Sequence, residues 1–320
     1  MFEKTLWQML TMFAFILVGY ALRRTKILPE QSGVTMARLE TYFFVPALSL
    51  SNMMAYCTVE RFRENWTLIL YGAVLVIVFI LVAIPLSHLF VPGAKTSAEE
   101  YQRSIYRYGM SFANYGFMGD FIILEVFGNL FFFKYKMFCL VVGIFCSSYG
   151  LYLLIPKDKG AGLWHNVKKG LLAPPMLALF AGIAVGLLNL GQYLPPFLTS
   201  MLEKAGACQG PVAMVLAGFV IAGFPLREIL VNKKVYVATF VRMVAIPAVI
   251  VLALHLLKAP TDVRILALIC FGTPLGLNSI VYPQTYGGDV KTGAAMASIS
   301  HTLSVVIIPL MYLLLIELLA

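Results

Sequence analysis

Residues 111–120 read Ser111-Phe112-Ala113-Asn114-Tyr115-Gly116-Phe117-Met118-Gly119-Asp120, and residues 272–279 read Gly272-Thr273-Pro274-Leu275-Gly276-Leu277-Asn278-Ser279. Each stretch interrupts an otherwise apolar run. Proline removes a backbone donor and clashes with the preceding turn, and glycine lowers the cost of unwinding, so both runs are read as helices broken near the bilayer centre. A break leaves N–H and C=O groups unpaired, which hydrocarbon tolerates only where they face a polar cavity or a ligand. Two breaks in corresponding positions therefore point to a transport site. The alternative is a glycine-rich packing face with proline kinks.

The surrounding composition supports a membrane setting. Of 320 residues, 60% are apolar and 12% charged, about half the charged fraction of a soluble chain. Mean hydropathy is +0.86, and apolar runs recur along the whole length, which leaves no room for a separate water-soluble catalytic or nucleic-acid-binding domain. The net charge of +9 is scattered through short connections, where membrane proteins keep orientation-setting charge, and does not signal nucleic acid. The cysteines Cys57, Cys139, Cys146, Cys208 and Cys270 lie within or at the ends of apolar runs without CxxC spacing. They are read as small core hydrophobes, with no disulfide framework or zinc site.

A hydrocarbon core needs roughly 20 apolar residues per helix. On that ruler ten spans are predicted: 5–22, 36–56, 66–91, 108–127, 135–155, 171–190, 205–224, 235–257, 264–286 and 292–318. The first is not a signal peptide, because its basic residues Arg23, Arg24 and Lys26 follow the apolar run instead of preceding it. The connections after the odd-numbered spans hold Arg23, Arg24, Lys26, Lys95, Arg103, Arg107, Lys157, Lys159, Lys168, Lys169, Arg227, Lys233, Lys234 and Lys291. The opposite side holds Lys4, Arg61, Arg63, Lys134, Lys136, Lys204, Lys258 and Arg264. Fourteen against eight places both termini outside the cytoplasm of a multi-pass protein of the cell membrane.

A basic cytoplasmic connection, 156–170, divides a first five-helix unit, 1–155, from a second, 171–320. An odd number of spans per unit inverts the second relative to the first, a recurrent plan of secondary transporters. Short matches mark the repeat. Leu124-Glu125-Val126-Phe127-Gly128 closes the fourth span as Pro283-Gln284-Thr285-Tyr286-Gly287 closes the ninth, and Pro46-Ala47-Leu48 resembles Pro211-Val212-Ala213.

The segment from Arg24 through Pro46 to Met53, the run from Asn114 to Gly119, Pro211 to Gly218, Arg242 with Pro247, and Pro274 through Tyr286-Gly287-Gly288-Asp289 to Pro309 together resemble the auxin efflux carrier family. That family includes plant PIN proteins and bacterial carriers of the malate or malonate permease type. The resemblance covers nearly the whole chain. It implies an all-α membrane protein of ten transmembrane helices in two inverted five-helix repeats, with broken helices 4 and 9 crossing at the substrate site. It also implies a scaffold part, a mobile transport part, alternating access and a homodimer. One departure stands out: where the family often has proline shortly after the glycine of the first break, this chain reads Gly119-Asp120-Phe121.

Candidate substrate-binding residues are Asn114, Tyr115, Gly116, Gly119, Thr273, Pro274 and Asn278. The two amides can each donate and accept at a break; their bland role is helix-to-helix hydrogen bonding. Asp120, Arg242 and His301 are ion-coupling candidates, with proton or sodium as the coupling ion and no other cofactor or metal. Asp120 is an intramembrane acid that could equally cap the second half-helix. Arg242 lies deep enough to need an acid or to attract an anion, and His301 is either a hydrogen-bonded core histidine or a relay. Arg38, Glu40 and Glu125 are read as solvated, and Phe131, Phe132, Phe133 and Tyr135 as an interfacial belt.

The leading function is secondary transport of a small organic anion, a mono- or dicarboxylate, with a non-carboxylate solute as the alternative. An enzyme would need a nucleophile-base pair, a metal cluster or an acidic dyad. No HExxH or GxSxG occurs, and His88, His165, His255 and His301 are dispersed. A transporter-like sensor would carry a soluble signalling domain, and none is expected beyond the last predicted span.

Overall fold

In the computed structural model the described residues, 2–157, 162–225 and 232–319, are helical with no strand among them. The helices are α1 (Phe2–Arg24), α2 (residues 32–56), α3 (Val59–Asn65), α4 (Thr67–Phe90), α5 (Ser97–Ser111), α6 (residues 115–127) and α7 (Asn129–Leu154). They continue as α8 (Leu163–Leu171), α9 (Pro174–Leu187), α10 (Pro196–Ile221), α11 (Lys233–Leu256), α12 (Thr261–Gly272), α13 (Asn278–Tyr286) and α14 (Lys291–Glu317). By length and composition six of these, α1, α4, α7, α10, α11 and α14, can each cross a membrane, and the pair α8 and α9, bent by 51°, raises the number to seven.

The other predicted spans fall on helices that are interrupted or locally rewound. Span two is α2, continuous but π-helical over Glu40–Phe44. Span four starts earlier than hydropathy places it, because a polar helix, α5, precedes the break. The N-terminus of α5 is fixed by a capping box in which the Thr96 hydroxyl accepts from the Glu99 N–H and the Glu99 carboxylate accepts from the Thr96 N–H. Hydrogen bonds from the Lys95 and Thr96 N–H groups hold the Glu99 carboxyl below its ordinary range. The predicted connection 156–170 is itself partly helical, since α8 occupies its second half. Lys159 and Arg227, both used in the orientation count, lie outside the described residues.

Two helix groups differ in how they pack. In one, α1, α2, α9 and α10 meet through glycines: a Cβ at Gly19 would overlap the Val215 carbonyl, and one at Gly218 the Ile16 carbonyl. A Cβ at Gly206 would stand 3.0 Å from the Leu48 Cα, and one at Gly182 2.7 Å from the Met53 Cβ. Small residues let backbones approach closely where dispersion, not water, drives association. In the other group, α4, α5, α7 and α12, one such approach recurs, with a Cβ at Gly72 overlapping the Phe138 carbonyl, and stacked aromatic rings make the other contacts. Phe79 stacks on Phe271 at 4.0 Å between centroids, Phe138 meets Phe271 edge-on at 6.3 Å, and Phe90 stacks on Tyr106 at 4.9 Å.

Helix ends gather into two sets. In the first, Arg23 Nη1 donates to the Phe219 carbonyl at 3.1 Å, Lys234 Nζ to the Phe90 carbonyl at 3.1 Å and Lys169 Nζ to the Tyr286 hydroxyl at 3.2 Å. Lys157 pairs with Glu100 at 2.8 Å in the same set, and this exposed contact lowers the Glu100 carboxyl and raises the Lys157 amine. In the second, Lys4 Nζ donates to the Val126 carbonyl at 2.6 Å, Lys134 pairs with Asp262 at 2.6 Å, and the Phe2 N–H donates to Glu317 at 3.0 Å.

Burial corrects several sequence expectations. Phe132, Phe133 and Tyr135 are core residues with no exposed surface, not an interfacial belt. Lys136 and Arg264, placed among loop charges, are buried within α7 and α12. Glu40 is wholly buried instead of snorkelling. Arg38 and Glu125 are exposed, as read, and of the cysteines Cys208 alone is exposed.

Candidate functional site

Residues 112–114 separate α5 from α6, and residues 273–277 separate α12 from α13. At each break the chain leaves helical geometry: Phe112 (φ −127°, ψ 141°) and Thr273 (φ −67°, ψ 160°) are extended. The breaks cross and bond to one another, since the Asn114 N–H donates to the Pro274 carbonyl at 2.8 Å. The Leu275 N–H donates to Ser300 Oγ of α14 at 3.1 Å. A glycine closes each of the two second halves: Gly128 ends α6 at φ +83° and Gly287 ends α13 at φ +70°, conformations glycine adopts without steric cost.

Arg242, in the π-helical segment Val241–Ala245 of α11, is 3% exposed and spans the crossing. Its Nε donates to the Gly109 carbonyl at 2.6 Å, its Nη2 to the Phe112 carbonyl at 3.0 Å, and its Nη1 to the Thr273 carbonyl. All three acceptors stand at the C-terminal ends of the first half-helices, where carbonyls have no intrahelical partner and the dipole is negative. One guanidinium thus caps both, a task suited to its planar fork of donors.

His301 of α14 orients the other side. Its Nδ1 lies 2.8 Å from the Ala297 carbonyl, which can only accept, so in the neutral ring Nδ1 carries the hydrogen and Nε2 accepts. The Asn114 Nδ2 stands 3.3 Å from Nε2 and donates to it. One amide hydrogen of Asn114 is committed to His301, while the second hydrogen and the oxygen remain at the break.

The candidate residues separate into three sets. Asn114, Thr273 and Pro274 are brought together at the crossing; Thr273 is fully buried and its hydroxyl has no hydrogen-bond partner. Tyr115, Gly116 and Asn278 are half-buried at its rim. A Cβ at Gly116 would meet nothing within 4 Å, and Asn278 reaches the Tyr108 hydroxyl. Gly119 instead gives α7 its close approach, since a Cβ there would overlap the Tyr135 hydroxyl, which donates to the Tyr115 carbonyl at 3.0 Å. Of the ion-coupling candidates, Arg242 and His301 join the crossing. Asp120 stands apart, paired with Lys136 at 2.5 Å.

Three further residues support the crossing without having been singled out: Ser300, Tyr108, and Gln209 of α10, whose Nε2 stands 3.5 Å from the Gly116 carbonyl. The sequence carries Gln209 within the Gln209-Gly210-Pro211 run, a polar residue beside a helix-distorting pair. Among the described residues no group of three or more His, Cys, Asp or Glu side chains is placed to hold a metal.

A cavity of about 820 Å³ lies on the first set of helix ends, lined by the start of α5, Tyr152 to Lys157, and Gly287 to Asp289. Three connections meet there. A search of curated proteins gives no match. The sequence profile of the family described as membrane transport protein matches residues 5–312, from the first turn of α1 to the last part of α14, with both breaks and Arg242 inside the matched region. The chain belongs to this membrane transport protein family, the auxin efflux carriers.

Proposed function

We propose that the protein is a secondary transporter of a small organic anion, a mono- or dicarboxylate, that works by alternating access around the crossing of the two breaks. The observation that carries this reading is the unequal treatment of the half-helix ends. Arg242 compensates the carbonyl ends of α5 and α12, while α6 and α13 begin beside the crossing with the amides of Asn114 and Asn278 at their starts. A helix N-terminus carries roughly half a positive charge, so two of them offer about one positive charge to a carboxylate, although at α13 the Ser279 and Ile280 N–H groups already bond back to the Gly276 and Leu277 carbonyls. Asn114 and Asn278 supply orienting hydrogens without a buried countercharge.

In this reading the chain crosses the membrane ten times as two inverted five-helix repeats. The grouping of helix ends supports it: the contacts of Arg23, Lys157, Lys169 and Lys234 gather the ends of α1, α4, α10 and α13, the starts of α5 and α11, and the last turn of α8 that leads into α9. Alternating crossings require such a grouping. The break in each half, with its closing glycine at positive φ, is the internal symmetry expected of an inverted repeat. The glycine-stitched group is the scaffold and the aromatic-packed group carries the site. The basic connections favour termini outside the cytoplasm, and removing the buried Lys136 and Arg264 from the outer count widens the asymmetry.

A thermal-shift screen of the purified protein against small carboxylates and their uncharged amides tests this function. Stabilisation by carboxylates alone is expected; stabilisation only by neutral or cationic solutes would overturn it.

A further inference from the structure

Glu40 has no exposed surface, and neither of its carboxylate oxygens has a hydrogen-bond partner. Asp120, the first residue of regular α-helix after the π-helical start of α6, is equally buried. Its Oδ2 takes Lys136 Nζ at 2.5 Å, and its Oδ1 has no partner. α10 packs against both: it touches the π segment that carries Glu40 and closes on Phe121, next to Asp120, where a Cβ at Gly210 would overlap the ring, and the Asp120 charge is felt at Glu40. This part of the interior therefore holds two carboxylates and one ammonium.

The surroundings leave that imbalance uncorrected. Glu40 sits on the π segment Glu40–Phe44, packed against α9, α10 and the rest of α2. α9 carries no titratable side chain. On α10, Glu203, Lys204 and Cys208 are exposed, as are Arg38 and Tyr42 on α2. Beside Asp120, the Tyr135 hydroxyl is bound to the Tyr115 carbonyl, and the Cys139 thiol to that of Cys270. Asp120 and Lys136 neutralise each other, so an ionised Glu40 would stand as an uncompensated charge in a buried setting, which strongly favours its neutral form.

The cluster also straddles the two helix groups. Glu40 belongs to the glycine-stitched group, whereas Asp120 and Lys136 belong to α6 and α7, which move with the crossing in the proposed cycle. We propose that Glu40 binds one proton beside the Asp120–Lys136 pair, and that this site, shared between the two groups, couples transport to a proton gradient. With the groups apposed, the carboxyl of Glu40 carries the proton. When they slide apart Glu40 leaves the charge of Asp120, and the proton passes to water on the side then open, which regenerates the carboxylate. Asp120 acts through Lys136 and Glu40, and the proton carrier is Glu40.

The proposal rests on the transporter reading, and two measurements separate its failure from that one. Infrared spectroscopy of the purified protein should show the carbonyl stretch of a protonated buried carboxylic acid in wild type and its loss in Glu40→Gln, with no substrate involved. In proteoliposomes, a gradient of about one pH unit should drive up to about tenfold accumulation of a carboxylate substrate by wild type, for one proton per cycle. Glu40→Gln should lose this accumulation and keep equal-pH counterflow; Glu40→Asp, which retains a carboxyl, should keep both. An unchanged infrared band in Glu40→Gln, or undiminished pH-driven accumulation by it, would overturn the proton site. Accumulation driven by sodium at equal pH and dependent on Glu40 would overturn the proton in favour of a metal cation. Absence of carboxylate counterflow in wild type would overturn the transporter reading, with the infrared result still deciding the site.

Discussion

The two sides of the helix crossing are built on opposite principles. On the carbonyl side, one guanidinium reaches Gly109, Phe112 and Thr273 and leaves that end of the break closed by the protein itself. On the amide side, α6 and α13 begin with Tyr115, Gly116 and Asn278 half-buried, with room beside Gly116 and one Asn114 hydrogen held by His301. The protein caps the negative ends itself; in the proposed function the positive ends are the ones that meet the substrate.

The strongest way to break this comparison is to remove the cap. Arg242→Met leaves three buried carbonyls unpaired at about 1–3 kcal/mol each, so a loss of at least about 3 kcal/mol is expected. It should appear as a large drop in melting temperature and in monodisperse yield. Arg242→Lys should recover only part of it, because an ammonium lacks the planar fork that reaches both half-helices. If Arg242 were instead a counterion for substrate, Arg242→Met would fold normally and lose affinity alone.

On the presented side the effects fall on binding more than on folding. Asn114→Ala should weaken carboxylate binding by about 1–3 kcal/mol, the cost of a lost partner in a buried polar site, with a melting temperature near that of wild type; isothermal titration measures it. His301→Leu frees the Asn114 amide to turn, and should weaken binding by about 1 kcal/mol. Equal affinity in His301→Leu and wild type would mean that the amide needs no orienting partner.

The breaks were legible because Gly, Pro and Asn in the middle of apolar runs have few other readings, and both fall where the chain unwinds. The role of Arg242 was not legible. Its partners are backbone carbonyls on α5, the first break and the second break, and no spacing along α11 reports them. Lys136 was misplaced because the run Phe131-Phe132-Phe133-Lys134-Tyr135-Lys136 looks interfacial, and only the tertiary position of Asp120 explains a lysine inside. Glu40 was misread for a related reason: at the start of a hydropathy-defined span a carboxylate can snorkel, but the helix begins earlier, at Ser32, and carries it inside. Hydropathy also hid the polar helix α5, whose start is written in a capping box instead of in apolar periodicity.

That capping box gives the smallest effect, at the far end of the capped half-helix. Thr96→Ala should cost about 1 kcal/mol of helix stability without touching substrate affinity. Glu99 is held below the ordinary carboxylate range by the Lys95 and Thr96 N–H groups. Its contribution is therefore full above that range and is lost as pH falls through its lowered value. Wild type and Glu99→Gln should differ in melting temperature at neutral pH and converge in acid.

The most direct test of a carboxylate held by the presented amide ends is counterflow of a labelled small carboxylate in proteoliposomes, comparing wild type with the Asn114→Ala, Asn278→Ala double variant at equal folded protein. Saturable counterflow in wild type and its loss in the double variant are predicted. Full activity in the double variant, or saturable transport of neutral or cationic solutes with no response to any carboxylate, would contradict the account.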